Sequence, residues 1–280
     1  RYCSLDPRAG AQLAVAECCR NLSTVGAQPV AATNCLNFGN PERPEIMAQL
    51  VEAIEGMGEA CRFFETPITG GNVSLYNETL GEAIDPTPVI GVVGLLPTGP
   101  PLTIDFKNPD RAIILLGGLG GCDPVRFGST QYAKVVVGKV WGLPPALDMD
   151  YEKRVQAAMR EIAAAGLAES AHDVSDGGLA VALAECSFGR TEVGAEVELG
   201  GDLRDEFLLF HEGPSRIVLS TAAPERVAEI AARHAVEAVR IGATMKGRLV
   251  IRRRGETLVD RAVAELRNLW EGALERMLRS

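Results

Sequence analysis

The stretch Thr66–Glu78, TPITGGNVSLYNE, gathers residue types that handle phosphate and metal. An apolar run ends at the pair Gly70–Gly71, and Asn72, Ser74, Tyr76, Asn77 and Glu78 follow closely. Glycines let a backbone pass near a ligand or take a left-handed turn. The N–H groups of such a turn can point at phosphate oxygens. Asn72 offers a neutral oxygen to a hard cation such as Mg²⁺, and Ser74 offers a small hydroxyl. The residues read as a phosphate-and-metal loop or as a Gly-Gly turn leading into the polar start of a strand; their types alone leave both readings open.

The elements that must position this stretch are legible on either side. Ala11 to Val25 has helical spacing in Leu13, Ala14, Cys18, Leu22 and Val25, and Gly26 is a natural stop. Gln28 to Thr33 reads as a short strand, and Asn34 to Pro44, NCLNFGNPERP, as a loop rich in turn residues. A helix follows from Glu45 to Phe63, with Ile46, Met47, Leu50, Val51, Ile54, Met57 and Cys61 as one core-facing stripe. Beyond the glycine stretch, Pro88 to Leu96 reads as a buried strand and Pro97 to Pro101 as a domain boundary.

Further on, Ala112 to Leu116, Arg216 to Thr221, Val239 to Thr244 and Gly247 to Arg252 read as strands, the last two as a hairpin. Tyr151 to Ala165, Leu179 to Cys186 and Pro224 to Arg233 read as helices, and Glu256 to Leu278 as a long amphipathic one. Ser175 or Asp176 of HDVSDGGL is placed to cap the helix that follows, whose N-terminus could equally face an anion. The loop Gly117–Thr130, GGLGGCDPVRFGST, lacks the P-loop pattern. Arg252–Arg254 reads as a solvated turn. The layout is α+β: two α/β-type parts, residues 1–100 and 101–280, with sheets covered by helices on one face.

Composition narrows the function classes. A net charge of −9 and a pI near 5.0 argue against a nucleic-acid surface, which needs a basic face. They leave phosphorylated small molecules open, because backbone N–H groups and a metal can hold those. The seven cysteines show no CxxC pairing and no nearby histidine, which points to buried thiols in a reducing cytosol rather than to disulfides, zinc or a catalytic thiol. No signal peptide and no membrane-length apolar run is read, so the expected location is cytoplasmic. The chain opens on Arg1, without a methionine and directly in folded-looking sequence, which reads as a fragment of something longer.

With these residues in place, the chain resembles the second half of phosphoribosylformylglycinamidine synthase, within the aminoimidazole ribonucleotide synthetase-like superfamily. NCLNFGNPERPEI, TPITGGNVSLYNE, PTPVIGVVGLL, FGSTQYAKVV, GKVWGLPPALD and SAHDVSDGGLAVALAEC carry the resemblance, in order and over essentially the whole chain. It implies an ATP-domain-like part followed by a second α/β part. It implies a reaction in which ATP activates the amide oxygen of formylglycinamide ribonucleotide and ammonia from glutamine displaces the phosphate, giving the amidine, ADP and phosphate.

The same resemblance places the family's ATP contacts on Asn34 and Gly71, its Mg²⁺-binding asparagine on Asn72 and its substrate-contacting serine on Ser74. Asn34 stands where the family has aspartate, so the charge of that contact is lost. None of His172, His211 or His234 matches the motif of the catalytic histidine, so no catalytic residue is assigned here. The cofactors implied are ATP and Mg²⁺. The partners implied are the N-terminal half of the same synthase, a glutaminase subunit or domain, and a small accessory subunit; neither nucleic acid nor membrane is expected. A lone half would expose a sheet edge or an apolar face, which favours a homodimer. The alternative is a non-catalytic module of the same protein that holds nucleotide without turning it over. Relatives such as selenophosphate synthetase carry an Asp-rich metal motif and an N-terminal Cys or Lys that are not found here.

Overall fold

The structure is a computed structural model and describes residues 1–97 and 99–279. One residue of the expected boundary 97–101, Thr98, lies outside the described residues.

Helix α1 (Tyr2–Leu5) leads into α2 (Pro7–Thr24). Asp6 caps α2, its carboxylate accepting from the Ala9 N–H at 2.9 Å, and Pro7 occupies the first turn, where a missing N–H costs nothing. Strand β1 (Gln28–Asn37) and helix α3 (Pro44–Phe63) follow. Then come β2 (Ile68–Ser74), the short hairpin β3 (Glu78–Thr79) and β4 (Glu82–Ala83), and β5 (Thr87–Leu95). The sheet order is β2-β1-β5, parallel between β1 and β2 and antiparallel between β1 and β5.

Helices α2 and α3 cover one face of this sheet. Ala11, Val15, Ala16 and Cys19 meet Ala32 and Leu36 from β1 and Ala53, Met57 and Ala60 from α3. The expected single stripe on α3 divides. Ile46, Met57 and Cys61 are buried together with the small residues Ala53, Gly56 and Ala60, whereas Met47, Val51 and Ile54 face outward at 43–44% exposure. Gly56 explains the rotation: a Cβ there would lie 2.2 Å from the Arg8 carbonyl, so the helices cross at backbone contact and the small residues must face inward.

The remainder builds a second sheet. In order come β6 (Ala112–Leu116), α4 (Pro124–Phe127), a π-helical turn (Ala133–Val137), α5 (Met149–Ala164), β7 (Ser170–Asp173) and α6 (Gly178–Cys186). They are followed by β8 (Val193–Leu199), α7 (Asp205–Phe210), β9 (Ile217–Thr221), α8 (Pro224–Arg233) and β10 (Ala238–Lys246). The chain closes with β11 (Arg248–Arg253), β12 (Glu256–Ala262), α9 (Val263–Glu271) and α10 (Ala273–Arg279).

The seven strands run β12-β11-β8-β10-β6-β9-β7. Ile113 and Leu115 pack under Leu179, Leu183 and Leu208 on one side. Ala112, Ile114 and Leu116 pack under Val155, Met159, Ile162, Val227 and Ile230 on the other. Helices thus cover both faces of the central strands, where cover on one face was expected.

Two strand expectations are corrected. β11 does not form a hairpin with β10; it pairs with β12 and, in parallel, with β8. The opening of the expected terminal helix is strand β12, whose Leu258 and Val259 pack on the core of the sheet.

Candidate functional site

The glycine stretch is strand rather than loop. Gly70 and Gly71 lie inside β2, and neither has a left-handed backbone. β2 is an edge strand whose first six residues are exposed. Asn34, expected in a loop, belongs to β1 and pairs with Gly71; Cys35 pairs with Asn72 and Asn37 with Ser74.

Strand alternation then divides the four predicted positions between two faces. Ala32, Asn34 and Leu36 point toward the helices, and Asn34 Nδ2 lies 3.5 Å from Met57 Sδ on α3. A Cβ on Gly71 would lie 2.0 Å from Asn34 Oδ1 and 2.8 Å from the Asn34 carbonyl oxygen. Gly71 is therefore the gap into which the Asn34 carboxamide folds. At Gly70 a Cβ would meet nothing within 4 Å.

Asn72 and Ser74 point the other way, onto the face that none of the described helices covers. Asn72 Nδ2 lies 3.8 Å from Cys35 Sγ, a weak contact that leaves its oxygen free. Ser74 Oγ lies 3.2 Å from Asn77 Oδ1, and Asn77 Nδ2 donates to the Phe38 carbonyl at 3.0 Å, which pins the strand end. Cys35 and Asn37 share this face. The i±2 spacing of Cys35 and Asn37 carried that information, but only once Asn34–Asn37 is read as strand.

Around them the open face is apolar: Val89, Val93 and Leu95 are 52%, 61% and 66% exposed. Glu78 is turned away toward the Asn40 N–H at 3.3 Å and Arg43 at 3.7 Å. Among the described residues no group of three or more His, Cys, Asp or Glu is placed to hold a metal ion. Asn72 thus fits as one neutral corner of a Mg²⁺ shell, not as a site by itself.

The HDVSDGG segment behaves differently from its capping role. Gly177, with φ +80°, is the N-cap of α6, and no side chain on α6's own segment caps it. Its N–H instead donates at 2.8 Å to the buried Glu212 carboxylate, which also accepts from the Gln131 N–H at 2.8 Å, Arg1 Nη1 at 2.5 Å and Tyr2 OH at 2.5 Å. Asp176 pairs with Arg1 and with Gln131 Nε2.

Behind this lies a second charged group that sequence reasoning missed. Arg20 of α2, 3% exposed, faces Glu152 of α5 at 3.0 Å and Asp173 of β7 at 3.7 Å. His172 adjoins Asp173 at 3.3 Å and Glu185 at 3.0 Å. Burial alone would lower the His172 pKa, but the hydrogen bonds to Asp173 and Glu185 outweigh it and raise it to about 9. Asp173 is held below the usual carboxylate range: burial opposes this, and His172 and Arg20 overcome it. These contacts fasten α2, and with it the first sheet, to the second.

A small helix-backed sheet that carries the candidate residues, joined by buried ion pairs to a larger mixed sheet, defines a two-part α+β protein. Two family models describe its parts: "AIR synthase related protein, N-terminal domain" matches residues 1–96, and "AIR synthase related protein, C-terminal domain" matches residues 108–253. The chain belongs to the AIR synthase related proteins.

It is 48% identical over 277 residues to phosphoribosylformylglycinamidine synthase subunit PurL of Moorella thermoacetica, covering 98% of this chain and 37% of that protein. The chain thus spans 37% of that relative's length. Among solved structures, T. maritima PurL complexed with FGAR superposes with a TM-score of 0.75 at 21% identity, over 94% of this chain and 44% of that one. T. maritima PurL complexed with ATP gives 0.72 at 20% identity, over 94% and 42%. At that identity the likeness shows a shared fold.

Proposed function

We propose that this chain is the second half of an ATP-dependent phosphoribosylformylglycinamidine synthase and forms one wall of its site, in the cytoplasm. In the reaction the amide oxygen of formylglycinamide ribonucleotide takes the γ-phosphoryl group of ATP, releasing ADP. Ammonia then attacks the activated carbon and phosphate leaves, forming the amidine. The observation that carries this reading is the 48% identity to a PurL subunit across 98% of the chain. The geometry supports a one-wall role. Asn72 supplies a neutral oxygen for Mg²⁺ and Ser74 a hydroxyl for substrate, while Asn34 and Gly71 set the backbone beneath the nucleotide. Two to four such contacts, at about 1.5–3 kcal/mol for each charge-assisted bond, orient a ligand but hold it weakly without further charged ligands.

The division is residues 1–100 as the nucleotide-type domain and 101–280 as the second domain. The uncovered face of the first sheet meets the N-terminal half of the same protein, and in the isolated chain a second copy takes that place as a homodimer. A glutaminase and a small accessory subunit complete the assembly. The reading is tested by assaying the chain with ATP, formylglycinamide ribonucleotide and ammonia, alone and mixed with the remaining part of a PurL relative. The expected result is no turnover alone and turnover on mixing; turnover by the isolated chain would overturn it. A second reading, a nucleotide held without turnover, rests on Asn34, which stands where the family has aspartate and so brings no charge to that contact. Nucleotide exchange much slower than turnover in the mixed enzyme would select it.

A further inference from the structure

The loop Gly117–Asp123 has no part in the reading above, yet it walls a cavity. A cavity of about 200 Å³ lies between this loop, Pro145–Ala146 and His211–Gly213. That is below the range of drug-sized sites and leaves room only for a small polar ligand or ion. The N–H groups of Gly120, Gly121 and Cys122 make no hydrogen bond to the protein among the described residues, and Gly121 and Cys122 line the cavity.

The charges around it do not balance. The Glu212 carboxylate at the rear is filled by four donors. Asp123 Oδ1 is occupied by the Val125 and Arg126 N–H groups at 2.8 and 2.9 Å, and its Oδ2 lies 3.6 Å from Arg126 Nε. Behind His211 stands Arg216, 1% exposed, which forms no ion pair with any described carboxylate. It donates through Nε to the Gly213 carbonyl at 2.9 Å and through Nη2 to the His211 carbonyl at 2.8 Å.

Its third contact cannot be satisfied together with its neighbours. His211 Nε2 lies 3.0 Å from Arg216 Nη1 and 2.9 Å from the Leu119 carbonyl, while the Gly213 N–H approaches Nδ1 at 3.3 Å. With the proton on Nε2, Leu119 and Gly213 are satisfied and Arg216 faces another donor. With it on Nδ1, Arg216 gains an acceptor, while the Leu119 carbonyl and the Gly213 N–H lose their partners. In both tautomers this corner is short of acceptors. Burial first, and then the Arg216 charge, push His211 down to about 3; burial, and then Arg20, lower Arg216 to about 9. Both directions reflect burial first and neighbouring positive charge second; for Arg216 the Glu212 carboxylate pulls the other way and does not overcome them.

We propose that this cavity binds a phosphate-type oxyanion. The unpaired N–H groups of Gly121 and Cys122 and the Arg126 guanidinium hold it, and the buried Arg216 charge lies behind. Arg126 is already oriented by its Nη1 bond to the Pro144 carbonyl at 2.8 Å. The anion is free phosphate or the phosphate group of an ester. The inference does not rest on the function proposed above, because none of these residues belongs to the first sheet.

The test is amide and histidine-ring NMR on the full chain, titrated with inorganic phosphate and in parallel with ribose 5-phosphate, against sodium chloride at matched ionic strength. Saturable shifts are expected at Gly120–Cys122, Gly213 and the His211 ring. Gly121→Asp places a carboxylate at the mouth, where a Cβ meets nothing within 4 Å and the backbone is not left-handed, so the variant should fold and lose binding. Arg126→Gln should weaken it by about tenfold. Tighter binding of the sugar phosphate would assign the site to an ester, and equal binding to free phosphate. Absence of saturable shifts, shifts reproduced by chloride, or unchanged binding in Gly121→Asp would overturn the proposal. Shifts confined to Gly70–Ser74 would report the first sheet and count against this cavity.

Discussion

The two sheets solve the same burial problem differently. In the second sheet, β6 and β9 are buried at every position, and helices close both sides. In the first, α2 and α3 close one side only, and Val89, Val93 and Leu95 remain more than half exposed. Both draw on the same aliphatic residues, so the contrast comes from topology. The seven-stranded sheet receives helices from both directions along the chain, whereas the three-stranded sheet receives two helices on one side. An uncovered apolar face beside polar groups such as Asn72 and Ser74 is the signature of a surface that works in contact with something else.

The largest expected effect breaks the contrast or confirms it. Leu115→Ala removes a fully buried side chain from β6 and should cost about 2–5 kcal/mol. Val93→Ala on the open face of β5 should cost no more than about 0.5 kcal/mol. Urea unfolding of both variants at low protein concentration decides it. A Val93→Ala cost comparable with that of Leu115→Ala would mean that the face is covered in solution. Sedimentation should then show a dimer that Val93→Asp dissociates.

A smaller effect separates neighbouring glycines. Gly71→Ala forces a methyl into Asn34 Oδ1 and the Asn34 carbonyl, and the latter cannot rotate away. It should cost about 1–3 kcal/mol, as overpacking does. Gly70→Ala, facing open space, should change stability by no more than about 0.5 kcal/mol. Equal costs in thermal or urea melts would show that the Asn34–Gly71 fit does not constrain the strand.

The junction between the sheets should carry a pH signature. The folded pKa of His172, about 9, is above its ordinary value near 6.5, so the native state binds the extra proton more tightly. That stabilisation is fully present below about pH 6.5 and is lost as pH rises through about 9. The loss should be on the order of 1–3 kcal/mol, since the ring is mostly buried. His172→Gln should flatten the slope of unfolding free energy between pH 6.5 and 9, bounds set by the ordinary and folded values. An unchanged slope would assign it to other groups.

What was legible in the sequence follows the same division. Helices α2, α5 and α8 and strands β6 and β9 were readable because long periodic or apolar runs fix them locally. Strand β2 was hidden because Gly70–Gly71 looks like a turn, and only pairing with β1 makes it extended. β12 was hidden because Leu258, Val259, Val263 and Leu266 fit a helical stripe as well as a strand followed by a helix. The partner of β11 is β8, far away in sequence, so no local signal names it. At the candidate site the residue types were legible and their arrangement was not. Once β1 runs to Asn37, alternation sends Asn34 and Asn72 to opposite faces, a consequence that a loop reading cannot contain. The ion pairs of Arg20 and Glu212 join residues more than a hundred positions apart, and no spacing rule reaches them.

The smallest effect on stability is the most informative about function. Asn72 is exposed, and among the described residues its side chain makes one polar approach, 3.8 Å to Cys35 Sγ. Asn72→Ala should therefore leave the unfolding free energy within about 0.5 kcal/mol of wild type. If the open face is one wall of a Mg²⁺-nucleotide site, the same change should weaken Mg²⁺-ATP binding to the mixed enzyme by about tenfold, the loss of one metal-oriented oxygen. Val93→Ala, on the same face but without a polar atom, should not. Calorimetric titration of both variants separates a face that only docks from one that also binds: equal loss in the two points to docking, and loss in Asn72→Ala alone points to a ligand oxygen.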